Sequence, residues 1–445
     1  MRKGPVLLTR DQATPQLDET RFSLGDRLQI GLFVAAAVPF VALRFLGVQF
    51  PPIWTALSLG LAIVGAAYFL AWATESLQTV VSQAFALAVL ALIQVLPEYS
   101  FEMVLAWEQK LHYAAATMTG ANRLLLGIGW PLVFFVAYFS ARRRKKPFSY
   151  VQLDVHQAVE IVFLLIAAAY SLVIVAKASL TLWDGAVLIG IYVAYVIVAL
   201  RLPPQAEAQE AEAPGPGGKI AKMRGARKAV WVFGLLAFGA VVILFGAEPF
   251  ISSLEKLAEA LGISKYLFLQ YFAPFLSEFP ESITAFIWAG TITLAAMGLA
   301  NLVSSKLNQW TLLIATIPVT YSLSVRHLAA IPLDTQQVHE ILLTAAQTLY
   351  GVSFLLDLRF RMRNALILVT LFLVQFFVPG SRVVVAIIFF VLAAYEFWIQ
   401  RHELVVFSAF RRALTAGARP ADSPLGQLAA ARSRENDADQ PRSKT

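Results

Sequence analysis

The sequence predicts an all-α polytopic membrane protein of about twelve transmembrane helices. Three observations predict it. Of the 445 residues, 58% are hydrophobic and only 14% are charged, whereas soluble domains carry about a quarter. Many apolar runs approach the roughly 20 residues that a helix needs to cross a bilayer. The basic residues gather between those runs, so the net charge of +8 reads as membrane topology and not as a nucleic-acid surface.

Residues 1–27 read as a cytoplasmic arm carrying Arg2, Lys3, Arg10, Arg21 and Arg27. This stretch lacks the short apolar core and cleavage site of a signal peptide. Spanning segments are expected at 28–47, 53–73, 78–107, 113–139, 155–176, 181–200, 229–250, 264–289, 292–325, 336–357, 364–378 and 382–400. The third and ninth exceed one bilayer crossing, which calls for tilt, breaks or extensions. With the N-terminus inside, even-numbered segments end inside. The loop Arg142-Arg143-Arg144-Lys145-Lys146, the loop with Arg359, Arg361 and Arg363, and the stretch after the twelfth segment with Arg401, Arg411 and Arg412 then fall on the inner side, as the positive-inside rule requires.

Residues 201–228 hold Pro203-Pro204 and Pro214-Gly215-Pro216-Gly217-Gly218. This composition predicts a flexible cytoplasmic linker between a first membrane half at 28–200 and a second at 229–400. Residues 401–445 read as a polar cytoplasmic tail. Both termini are expected in the cytoplasm, and the short loops and this orientation fit a bacterial inner (plasma) membrane. Lipid and inorganic cations are the expected partners, nucleic acid is not, and the oligomeric state stays open.

Cysteine is absent, which excludes disulfides, thiolate metal sites and cysteine nucleophiles. Gly-x-x-x-x-Gly-Lys-Ser/Thr, His-Glu-x-x-His and Gly-x-Ser-x-Gly are also absent. Their absence argues against an ATP-driven pump, a zinc protease and a serine hydrolase. The protein is expected not to be an enzyme and to use no cofactor.

Chemistry concentrates in two matched stretches. One holds Pro97-Glu98 and then Gly120-Ala121-Asn122-Arg123; the other holds Pro280-Glu281 and then Lys306-Leu307-Asn308. Glu98 to Arg123 is 25 positions, and so is Glu281 to Lys306. Charged residues inside membrane segments cost roughly 2.5–3.5 kcal/mol each on insertion scales and by default mark an ion or substrate path. Proline removes a backbone donor and frees the carbonyl four residues earlier, here Ile93 and Leu276. Freed carbonyls beside carboxylates suit hard cations, which take all-oxygen ligand sets. The oxygen supply is Glu98, Glu102, Ser277, Glu278, Glu281, Asn122 and Asn308, with Glu98 and Glu281 as the central metal ligands. Five segments separate the two Pro-Glu pairs, so the halves run in opposite directions, as in secondary transporters with inverted repeats.

These residues resemble the cation/Ca²⁺ exchanger superfamily, which includes the sodium/calcium exchangers. Pro97-Glu98 and Pro280-Glu281 match the Pro-Glu of that family's two α-repeats, Gly120-Ala121-Asn122 resembles its Gly-Ser-Asn, and Asn308 falls where the family's last Asn or Asp stands. The resemblance implies α-repeats at about 78–139 and 264–325. It implies an inverted-repeat antiporter core of ten helices with one extra helix at each end. It further implies a transported cation, Ca²⁺ foremost, with Na⁺ or H⁺ as counter-ion. Gln94 and Val95 depart from the family's Thr-Ser, Ser277 and Glu278 occupy those places in the second repeat, and Leu125 replaces an Asn or Asp. Arg123 and Lys306 put a cation at the same place in both repeats. They are expected to pair with buried carboxylates when no ion is bound and so to compensate charge or act in coupling.

The reading is a secondary active cation antiporter working by alternating access. A cation channel and a non-transporting scaffold or sensor of the same fold stand as alternatives. In the latter, Glu98 and Glu281 would lock helices through Arg123 and Lys306. Asn122 and Asn308 would then be interhelical hydrogen-bond glue. His156 and Glu160 read as an interfacial pair, and Trp54, Trp107, Trp130, Trp183 and Trp398 as interfacial anchors.

Overall fold

The apolar stretches fold as helices whose ends are fixed by local side-chain chemistry. Ser23 and Asp26, Thr181 and Asp184, and Asp334 and Gln337 each form a reciprocal capping box at a helix start. Each box satisfies two amides that the first turn leaves without partners. The computed structural model describes residues 20–46, 50–77, 95–200, 215–402 and 405–416. Residues 1–19 of the expected arm, 78–94 of the third segment (with Ile93 and Gln94), 201–214 of the linker and 417–445 of the tail lie outside the described residues.

In chain order the helices are α1 Leu24–Ala36, α2 Val38–Phe45, α3 Pro52–Leu77, α4 Leu96–Trp107, α5 Leu111–Leu124 and α6 Trp130–Arg143. Strand β1 Tyr150–Gln152 precedes α7 Gln157–Lys177, and β2 Ser179–Leu180 precedes α8 Leu182–Ala199. Then come α9 Pro216–Ala221, α10 Gly225–Leu261, α11 Lys265–Ser277, α12 Phe279–Gly290, α13 Ala295–Asn308 and α14 Ile314–Val325. The chain continues through β3 Ile331–Pro332, α15 Thr335–Phe354, β4 Arg359–Arg361, α16 Met362–Phe377, α17 Arg382–Ile399 and α18 Val405–Ala416.

Among the described residues, seven helical stretches are long and apolar enough to cross a membrane. Several expected segments take a different form. Segment 28–47 is interrupted at Ala37 between α1 and α2. Segment 264–289 is two helices, broken at Glu278. Segment 229–250 is part of the 37-residue α10, about 55 Å at 1.5 Å per residue, far longer than the roughly 30 Å hydrocarbon layer. Segment 336–357 forms α15, whose buried residues include Gln337, Glu340, Thr344, Gln347 and Thr348. They recur every three or four positions, so α15 turns one polar stripe into the protein. The four short strands depart from the all-helical expectation. Pairing between distant loops makes them, a constraint that local sequence does not carry.

The chain divides into two units, Met1–Val104 with Glu212–Glu281, and Leu105–Ala211 with Ser282–Thr445. In the first, α3 lies against α10. Phe33, Phe69, Trp72, Val232 and Leu235 bury together with Ile220 and Met223. A Cβ on Gly239 would stand 2.9 Å from the Ala66 carbonyl oxygen, so the missing side chain permits the close approach that packing in lipid depends on.

In the second unit, the core is aromatic: Trp130, Tyr350, Phe354, Phe360 and Phe389 are fully buried. Trp130 is therefore a core residue and not an interfacial anchor. Trp54, Trp107, Trp183 and Trp398 are exposed, as anchors are. β1 runs antiparallel to β4, with Tyr150 opposite Arg361 and Gln152 opposite Arg359. β2 runs antiparallel to β3, with Leu180 opposite Ile331.

Candidate functional site

Both Pro-Glu pairs start helices. α4 opens Leu96-Pro97-Glu98 and α12 opens Phe279-Pro280-Glu281, and each helix has 12 residues. Proline is tolerated in a first turn, where its missing N–H has no intrahelical partner. The glutamate that follows lies in the same turn, where the helix dipole favours negative charge. Upstream of α12 the chain breaks: the Glu278 amide donates to the Pro274 carbonyl at 2.9 Å, capping α11. Pro280 has no N–H to offer Leu276, as the sequence implied.

The first unit holds all the predicted acidic ligands: Glu98, Glu102, Glu278, Glu281 and the hydroxyl of Ser277. Glu98 is 6% exposed, Glu102 2%, Ser277 4% and Glu278 4%; Glu281 is half-buried. The Ser277 hydroxyl is hydrogen-bonded to the Glu98 carboxylate, and Glu281 lies close enough to act on it electrostatically. Glu98 Oε2 is buried and accepts no hydrogen bond among the described residues. Two neighbouring carboxyl groups, one with a buried oxygen that accepts no hydrogen bond, make a place for a positive charge. A carboxylate oxygen, a hydroxyl and a helix break supply the hard oxygen donors that Ca²⁺ takes. Among the described residues no cluster of three or more His, Cys, Asp or Glu has metal-holding geometry.

The second unit holds Asn122, Arg123, Lys306 and Asn308. α5 and α13 each have 14 residues, and each runs straight into a five-residue π-helical turn, Leu125–Gly129 and Gln309–Leu313. Such turns shift the backbone ladder and are frequent at functional sites. The loops before α5 and α13 also match, with Gln109 and Ile292 both at positive φ. Asn122 donates through Nδ2 to the Met118 carbonyl at 3.1 Å. That bond fixes the amide and leaves Oδ1 buried with no hydrogen bond among the described residues. Asn308 is buried as the last residue of α13.

Arg123 and Lys306 are both fully buried. Lys306 donates to the backbone carbonyl of Asn122 and lies 5.8 Å from the centre of the Trp310 ring. Arg123 pairs with a buried carboxylate. That carboxylate is Glu340 of α15, at 2.5 Å, which the sequence reading did not single out. The other Glu340 oxygen meets Arg382 Nε at 2.8 Å. Arg123 also donates to Gln375 Oε1 at 3.0 Å and to the Thr119 carbonyl at 3.3 Å. A signal for Glu340 was present: a carboxylate inside an expected spanning segment. The expected pair of His156 and Glu160 does not form, because the His156 ring bonds Asp154 and Glu160 accepts from the Tyr195 hydroxyl at 3.0 Å.

Apolar helices around buried carboxylates, with the chain broken beside them, are the build of a secondary transporter. The family model described as sodium/calcium exchanger protein matches residues 51–201 and 231–395, and the chain belongs to that family, within the cation/Ca²⁺ exchanger superfamily. It is an integral membrane protein of a transporter family. Its fold is similar to the crystal structure of the H⁺/Ca²⁺ exchanger CAX, with 34% identity, a TM-score of 0.81, and coverage of 88% of this chain and 99% of that one. The structure of native YfkE is 17% identical with a TM-score of 0.58, covering 81% of this chain and 99% of that one. The sodium-calcium exchanger NCX_Mj soaked with Na⁺ and Sr²⁺ is 19% identical with a TM-score of 0.50, covering 74% and 98%. The last two show likeness of fold alone. No curated protein matches the chain.

Proposed function

We propose that the protein is a secondary active antiporter that exchanges Ca²⁺ or another cation for H⁺ or Na⁺ by alternating access. The observation that carries this reading is Glu98: a buried carboxylate with an oxygen free of hydrogen bonds, a serine hydroxyl on it and the second Pro-Glu carboxylate nearby. Glu98 and Glu281 supply the charge that binds the cation, and Glu102, Ser277 and Glu278 support them. The amide oxygens of Asn122 and Asn308 act as neutral ligands, Asn122 already oriented by its bond to Met118. Arg123 and Lys306 compensate charge and stand in place of a coupling ion. Identity of 34% to an H⁺/Ca²⁺ exchanger supports Ca²⁺ as the substrate and H⁺ as the counter-ion. The basic loops support cytoplasmic termini, and the same topology fits a bacterial inner membrane with 201–228 as a cytoplasmic linker.

The test is cation uptake into proteoliposomes under a pH gradient and, separately, a Na⁺ gradient. Uptake that needs one of these gradients and is lost in Glu98→Gln and Glu281→Gln is expected. Uptake without any counter-gradient would make the protein a channel. Folded protein that moves none of Ca²⁺, Mn²⁺, Mg²⁺, Na⁺ or K⁺ would return the site to a structural role.

A further inference from the structure

The C-terminal end of α6 carries Arg142-Arg143-Arg144-Lys145-Lys146, all five exposed. Among the described residues none of them forms an ion pair. Membrane topology and the helix dipole favour cations at this end, and that accounts for all five alike. Arg143 and Arg144 differ from the rest. With Val136, Phe139 and Ser140, and with Gly290 at the end of α12, they line a cavity of about 420 Å³. No acidic side chain lines it. Ser140 donates to the Gly290 carbonyl at 2.6 Å, and Arg144 Nη2 donates to it at 3.2 Å. Both lone pairs of that carbonyl are thus taken, and it offers none to an entering anion. A guanidinium has five N–H donors, so Arg144 keeps four. The Arg143 side chain makes no hydrogen bond among the described residues.

Beside the arginines the wall is apolar. Leu132, Val136, Phe139 and Arg143 stand four, three and four positions apart, along one face of α6. Phe139 is 54% exposed and Leu132 38%. From Leu132 to Arg143 the helix rises about 16 Å at 1.5 Å per residue, close to one leaflet of a hydrocarbon layer roughly 30 Å thick. Arg143 is the last residue of the apolar span Leu111–Arg143, so its charge stands at a bilayer surface and the stripe runs from there into hydrocarbon. A soluble anion would use the arginines and not the stripe. A neutral lipid would use the stripe and not the arginines. We propose that this cavity binds an anionic phospholipid, with the phosphate on Arg143 and Arg144 and an acyl chain along Leu132, Val136 and Phe139. Arginine suits a phosphodiester because its planar fork meets two oxygens at once. Basic pockets between helices at the cytoplasmic surface take such headgroups, and on the topology proposed above this end faces the inner leaflet. The site does not depend on cation exchange.

The experiment titrates phosphatidylglycerol into the purified full-length protein in neutral detergent and reads the thermal midpoint, which a ligand of the native state raises by mass action. Phosphatidylglycerol is expected to raise it saturably, whereas phosphatidylcholine and glycerol phosphate are not. Arg143→Gln with Arg144→Gln is expected to raise the half-saturating concentration by about tenfold or more. Arg142→Gln with Lys146→Gln removes the same charge outside the cavity. In about 0.15 M salt, which screens charges more than about 8 Å away, it is expected to stay within about threefold of wild type. Gly290→Leu leaves every charge in place. A Cβ there would lie 4.0 Å from Val136, so the longer side chain fills the cavity and should weaken binding by about tenfold as well; it decides the matter if the arginine pair variant does not fold. The proposal is overturned by a cavity variant that binds like wild type, or by a control that loses as much as the arginine pair. It is overturned equally if phosphatidylglycerol gives no saturable rise, or if phosphatidylcholine or glycerol phosphate raises the midpoint as much. None of these outcomes touches the exchange of cations, which the uptake assay decides.

Discussion

The ammonium group of Lys306 on α13 is hydrogen-bonded to the backbone carbonyl of Asn122 on α5. A side chain of one matched helix thus satisfies the main chain of the other, just before the π-helical turn at Leu125–Gly129. Lys306→Met keeps the bulk and removes both donor and charge. The Asn122 carbonyl also accepts from the Leu125 amide, so the loss is one hydrogen bond from a charged donor, about 1.5–3 kcal/mol, and the thermal midpoint should fall. The ion dependence of exchange should also change. Transport with unaltered ion dependence in both Arg123→Leu and Lys306→Leu would remove the charge-compensating role.

Ser277 tests the acidic ligands without touching a carboxylate. Its one hydroxyl proton is shared between the Glu98 carboxylate and the Pro274 carbonyl, the latter at 3.1 Å. Ser277→Ala should weaken cation affinity by about threefold to tenfold, the worth of one hydrogen bond of about 1 kcal/mol. Affinity unchanged in equilibrium binding would take Ser277 out of the site.

Gly298 sets how closely α13 and α12 approach. A Cβ there would stand 2.6 Å from the Ala285 carbonyl oxygen, and a backbone atom cannot rotate out of the way. Gly298→Ala should destabilise by about 1–3 kcal/mol, the usual cost of overpacking, read as a lower midpoint in denaturation. No change in stability would mean that the helices separate freely.

The two environments of tryptophan make a paired test. Trp130 is 0% exposed and Trp183 is 73% exposed. Trp130→Ala should cost about 3–5 kcal/mol through the cavity it leaves, and Trp183→Ala well under about 1 kcal/mol. Equal losses would contradict the burial.

Asp154 lies outside the membrane-spanning helices, and its pH dependence has a definite sign. Burial alone would raise its carboxyl, but the amide and ring of His156 hold it below the ordinary value of 3.8. A lowered carboxyl contributes stability that is complete above its unfolded value and is lost as pH falls through the folded one. Asp154→Asn should therefore show its full cost at pH ~5, with the difference from wild type closing in acid as pH falls below about 3.8. A difference that persisted undiminished in that acid range would assign the titration to another group.

The residues of the candidate site were easier to read in the sequence than their wiring. Pro97-Glu98 and Pro280-Glu281 were legible because proline next to an acid inside an apolar run has few other uses, and the break at Glu278 follows from Pro280. The π-helical turns were not legible: Leu125–Gly129 and Gln309–Leu313 have only leucine in common, and the turn arises from the ladder shifting within a packed helix. Glu340 was visible as a charge but not as a partner, since Arg123 is 217 positions away by the numbering and only tertiary structure brings the two together. Trp130 was misread for a related reason. Position near a segment end suggested an interface, while packing under Phe354, in edge-to-face contact at 6.4 Å, placed it in the core.

The short strands set a parity rule for threading the bilayer. Two hydrogen-bonded strands cannot sit on opposite sides of a membrane, so the chain must cross an even number of times between Gln152 and Arg359, and again between Leu180 and Ile331. On the proposed topology, in which α7 crosses the bilayer once, β1 and β2 lie on opposite sides, and each clasp would be open to labelling, cutting or cross-linking from its own side alone.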